Sequence, residues 1–138
     1  MVSENQWISD LETNIFSNVV AFAKPLLEKD YPDVRFTTES KSTQKPRFPT
    51  VYIHELTPVE TGSTLDGKTV NAVMETMQVE ITTNTDKSDA KKVTLVVLEA
   101  FKRMRFSGNQ IGEIQYESDV YRSISRFSRL IGANDTLN

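Results

Sequence analysis

Residues 62–69 read GSTLDGKT, which matches the phosphate-binding pattern G-x-x-x-x-G-K-[ST] letter for letter. In a nucleotide site a strand delivers that loop and a helix leaves it, so that backbone N–H groups and the helix N-terminus face the phosphates. Here the following residues, VNAVMETMQVEIT, alternate apolar and polar with the period of a strand. No acidic strand-end partner for magnesium stands out downstream, and 138 residues is short for a nucleotide-binding α/β domain. We read the match as coincidence within a hairpin loop and keep a nucleotide-binding module or enzyme as the least favoured alternative.

His54 is the single histidine, and it lies inside the apolar run TVYIHEL. A general base needs a nucleophile and an orienting group, and no G-x-S-x-G elbow frames any serine. Its expected role is structural or at the surface. The absence of cysteine excludes a disulfide framework, a thiolate nucleophile and cysteine-ligated zinc. One histidine among scattered carboxylates has no metal-ligand spacing. The expectation is therefore no enzyme, no cofactor and no metal. Trp7 and Tyr31 flank the first amphipathic stretch and are expected to pack in the core or at its rim.

A different concentration of chemistry lies in SDVYRSISRFSRLIG, residues 118–132, which carries Arg122, Arg126 and Arg129 in a chain of net charge −3. Arginines on an exposed edge strand would keep it from pairing at random. Alternatively their forks suit carboxylates of a neighbouring subunit. Both readings stand, and with Thr64, Asp66 and Lys68 of the loop these arginines form the candidate subunit or partner interface. A net charge of −3 gives no electrostatic case for general nucleic-acid binding, which needs a basic face.

The elements that would position these residues follow from periodicity. Ile8, Leu11, Ile15, Val19, Phe22 and Leu26 line one face of a helix with Ser3 as N-cap, and Pro25 is expected to kink or break it. VRFTTES (34–40) and TVYIHEL (50–56) read as strands separated by a polar loop, KSTQKPRFP (41–49), the second strand ending at Pro58. A long loop over 57–71 follows, with Asp66-Gly67 as its turn signal. AVMETMQVEIT (72–82) is the cleanest strand, with Val73, Met77, Val79 and Ile81 on one parity together with Glu75. It should pair antiparallel with 50–56. A second helix runs through TDKSDAKKVTLVVLEAFKRMRF, capped by Asp86 or Ser88 and stopped by Gly108, with Val93, Val96, Val97, Ala100, Phe101 and Met104 as its stripe.

The 118–131 segment fits a helix slightly better by spacing, but its serines disfavour helix and a sheet edge needs covering. We read it as a strand with a bulge near Ser125, helix being the alternative. The expected fold is one α+β domain over 1–138: a mostly antiparallel four-stranded sheet with two helices packed on one face. Residues 132–138 are expected to be a flexible or partner-ordered tail. The N-terminus lacks a signal-peptide pattern and no apolar run reaches membrane-spanning length, so a soluble protein made in the cytoplasm is expected, with no membrane partner.

The phrases FPTVYIHEL, METMQVEITTNTDKSDAKKV and VYRSISRFSRLIGANDTL, in this layout, resemble the tail terminator (tail completion) family of long-tailed bacteriophages and prophages. The likeness covers about two-thirds of the chain, from Arg47 onward. It implies a structural virion protein that forms a hexameric ring at the head-proximal end of the tail tube. Such a ring stops tube polymerisation and presents a surface to head-completion or connector proteins, while DNA passes its lumen without specific binding. Other minor proteins of the head–tail junction share this size and layout and are the alternative. The family supplies no active site to carry over.

Overall fold

The computed structural model describes residues 3–39 and 47–137. The first helical stretch is interrupted. A short helix α1 (Gln6–Ser9) gives way at Asp10 to α2 (Leu11–Glu28). The buried stripe of α2 is Leu11, Ile15, Val19, Ala23 and Leu27, whereas Leu26, expected in that stripe, is exposed. Pro25 sits inside α2 without ending it. Both it and Ala21, whose carbonyl loses its helical donor, lie on the solvent side, where water can take the bond.

Strand β1 (Arg35–Thr37) is shorter than expected and pairs parallel with the start of β2 (Thr50–Ser63). Of the loop expected over 41–49, residues 41–46 lie outside the described residues. Strand β2 does not stop at Pro58. A register shift between Leu56 and Val59 absorbs the proline, and β1 reaches only to Tyr52, so the missing N–H deprives no partner strand. The expected loop over 57–71 accordingly shrinks to a turn between Ser63 and β3 (Val70–Thr83). The strands pair antiparallel, and Val73, Glu75, Met77, Val79 and Ile81 are all buried, as the alternation requires.

Helix α3 (Lys87–Arg103) is capped by Asp86, whose side chain accepts from the Asp89 N–H at 2.8 Å. It ends at Met104 with Arg105 in the left-handed region (φ 65°), before Gly108 is reached. Gly108 instead belongs to β4 (Ser107–Glu117), a strand that the sequence reading lacked. A two-residue turn, Ser118-Asp119, with φ of 54° and 63°, connects β4 to β5 (Val120–Gly132).

The sheet is therefore five-stranded and mixed, in the order β1-β2-β3-β5-β4, where four strands were expected. The arginine-bearing segment is a strand, but it is flanked on both sides and is no edge. Its pairing with β3 runs without a shift from Tyr121 to Gly132, so no bulge at Ser125 is needed. Ser123 and Ser125 take inward positions beside Phe127 and Ile131, each with a partner. The Ser123 hydroxyl shares a hydrogen bond with Thr94 at 2.6 Å, and Ser125 Oγ accepts from the Gly112 N–H at 2.9 Å.

Helices α2 and α3 cover one face of the sheet, where Phe101 stacks on Phe127 (centroids 4.3 Å) and meets Phe106 edge-on (5.2 Å). Trp7 and Tyr31 pack at the border of this core, as expected. Among the described residues no helix lies over the other sheet face. The terminal residues expected as a tail make specific contacts: Leu137 is buried, and the Ala133 N–H donates to the Asn71 carbonyl at 3.1 Å.

Candidate interaction surfaces

The turn at 64–69 is held from several directions. Asp66 Oδ1 accepts from Thr64 Oγ1 at 2.6 Å and from the Lys68 N–H at 3.0 Å, and these bonds hold its carboxyl below the usual range. The Thr64 N–H donates to the Thr69 carbonyl (2.8 Å), and the Gly67 N–H to the Thr64 carbonyl (2.9 Å), with Gly67 at φ 74°. From the N-terminus, Asn5 Nδ2 donates to the Lys68 carbonyl (3.3 Å) while Asn5 Oδ1 accepts from the Val70 N–H (2.9 Å). Thr69 Oγ1 donates to Glu4 at 2.9 Å. The N–H groups of Thr64, Gly67, Lys68 and Thr69 are thus engaged within the turn, and an antiparallel strand follows where a P-loop has a helix. Leu65, at the tip, is fully exposed.

The structure separates the arginine trio. Arg122 and Arg126 project from the helix-free face. Arg122 Nε lies 4.0 Å from Glu80 of β3, and Arg126 Nε donates to Gln78 at 2.9 Å. His54 shares this face, stacked on Tyr52 (centroids 4.5 Å), with Nε2 at 3.4 Å from Glu80. Arg129 points the other way. Its guanidinium is enclosed and bonds Asp135 at 2.8 Å. Burial works against ionisation of Asp135, but the Leu137 N–H and Arg129 prevail and hold its carboxyl low. Arg129 therefore binds the chain's own C-terminal residues, and Thr64, Asp66 and Lys68 lie apart from it at the turn.

Sequence reasoning missed the apolar groups left uncovered. Val59, Met74 and Leu130 face one another in register across β2, β3 and β5 on the helix-free face, and all are exposed. A second patch joins Leu95 of α3 to Ile111 of β4. Strand alternation could have found the first; the second needs β4.

A third feature is internal. Glu75 is completely buried, and among the described residues its carboxyl oxygens find no hydrogen bond of good geometry. Burial, then the nearby carboxyl of Glu55 and the charge of Glu12, push it up to about 9. Glu12 itself accepts from the Glu55 N–H at 2.8 Å, tying α2 to β2. Among the described residues no three His, Cys, Asp or Glu side chains are arranged to hold a metal ion.

No family model and no curated protein matches this chain. Among solved structures it is similar to that of the bacteriophage SPP1 gp17 protein, at 21% identity over 93% of this chain and 92% of that one, with a TM-score of 0.49.

Proposed function

We propose that this protein is a structural component of a long-tailed bacteriophage virion, acting as a tail terminator. In this reading copies of the chain form a ring, six by the family resemblance, at the head-proximal end of the tail tube. The ring stops tube polymerisation, receives the head-completion or connector protein, and lets DNA pass without binding it. The protein is made in the host cytoplasm and functions without catalysis or a cofactor.

The observation that supports this reading best is the uncovered apolar surface. Exposed apolar side chains scattered singly need no explanation, whereas here Val59, Met74 and Leu130 form one ladder across three strands. A buried interface supplies the cover that ladder lacks. The test is to add the protein to growing tail tubes and image them. Tubes that stop growing and carry a ring at one end support the proposal. Unchanged tube growth, with capture of the protein by portal or adaptor instead, moves the protein to the head side of the junction.

A further inference from the structure

The tip of the β2–β3 turn is an unusual place for a bare leucine. Leu65 is fully exposed, yet the turn that carries it is fixed by Asp66, Thr64, Asn5 and Glu4, so its side chain is held out at little remaining conformational cost. An apolar knob prepared in this way has its complement elsewhere on the molecule. A groove of about 230 Å³ lies between α3 and β4, lined by Lys91, Thr94, Leu95, Ile111, Gly112 and Ile114. Leu95 and Ile111 on its walls are 57% and 51% exposed. Gly112, at φ 68°, opens the strand beside it.

We propose that Leu65 of one copy of this chain seats in the α3–β4 groove of a second copy, with Asp66 meeting Lys91 there. Charge supports this partner. Thr64 and the Lys68 N–H favour the anionic form of Asp66 beside the knob, and the groove carries a lysine. The groove between α2 and α3 is a poorer receptor, because Arg103 already lies over its Phe22, 4.7 Å from the ring centroid.

The chain cannot fill its own groove. The turn lies beyond the Ala72–Gly132 end of the sheet, whereas Ile114 pairs with Ser123, which faces Ile81. Those levels are nine residues apart on β3, roughly 30 Å at ~3.3 Å per residue. A knob at one end and a groove near the other make a head-to-tail contact, which leaves each copy one free knob and one free groove. Such contacts propagate until they close. This inference rests on the ring reading and supplies the contact between its neighbours.

The chain contains no cysteine, so introduced thiols report this contact alone. Leu65→Cys with Ile111→Cys in one chain is expected to give, on mild oxidation, a covalent ladder that ends at the ring size. Each single variant should stay uncross-linked, and an equal mixture of the two should give dimers. Leu65→Ser should raise the concentration needed for assembly about tenfold. Lys91→Asp, which leaves the turn and its bonds intact, should weaken assembly, and Lys91→Arg should not. Leu65 is outside the core, so far-UV circular dichroism of these variants should match the parent. A double-cysteine chain that gives no cross-link although the parent forms rings overturns this contact and leaves the tail terminator reading standing. A covalent dimer and nothing larger overturns its head-to-tail form. Loss of tube capping in Leu65→Ser without loss of self-assembly assigns the knob to the tube protein and overturns it as well. A parent protein that never assembles and never caps tubes defeats the functional reading itself.

Discussion

Glu75 is the residue at which physical chemistry makes the sharpest demand. Its place on the apolar parity of β3 was legible, because the alternation around it is strict. The company of Glu55 and Glu12 was not, since those residues come from other elements. A carboxyl raised to about 9 is held protonated in the folded chain and ionises freely once unfolded. Its contribution is fully present below the ordinary value of 4.5 and is lost as pH rises toward 9, at up to about 1.4 kcal/mol per pH unit. Glu75→Gln should therefore be more stable than the parent at pH 8 and should flatten that decline, as urea melts across pH will show. The arginines differ by the same kind of reasoning. Arg129→Ala takes from Asp135 its nearest cation, leaving the Leu137 N–H and Arg105 at 3.9 Å, and should cost about 2 kcal/mol, whereas Arg126→Ala should stay within about 0.5 kcal/mol. Equal losses in the two variants would refute the assignment of opposite faces.

At the scale of elements, the helices and the β2–β3 hairpin could be read directly, because their apolar spacing is dense and their caps are ordinary. Strand β4 could not. Its side chains are exposed or half-buried, Ile111 and Ile114 are its only aliphatic ones, and Gly108 and Gly112 read as breakers. Missing it turned β5 into an apparent edge and made its arginines look like edge protection. The serines of β5 were also ambiguous from sequence, since their partners, Thr94 and Gly112, are supplied by α3 and β4. That dependence gives a test. Ser125→Ala leaves the Gly112 N–H without its acceptor and should cost about 1–2 kcal/mol, with faster hydrogen exchange at Gly112. Unchanged exchange there would mean that β4 at Gly112 is held by something else.

Over the whole molecule, one sheet face is closed by helices and the other is open, with an apolar ladder among its polar rows. The turn foreseen as a long loop is instead a short braced tip, and its fixation by Asn5 and Glu4 had no sequence signal, because 63 to 65 residues separate the partners. The expectation of a ring comes from the resemblance alone, and the proposal gives the uncovered apolar side chains a role as its contacts. Asp66 and Lys68 could be placed on a turn from the sequence, Leu65 and Ile111 carried no signal of their exposure, and the contact of Arg129 with Asp135 of its own chain had none either. Removing the ladder's central side chain by Met74→Ser should weaken assembly while leaving the monomer fold intact, as sedimentation and circular dichroism will report. The central claim, that this chain works by assembling, is tested most directly by sedimentation equilibrium of the purified protein over a wide concentration range. The account predicts a single closed species of several copies, six by the resemblance; a 15.7 kDa monomer at every concentration would contradict it.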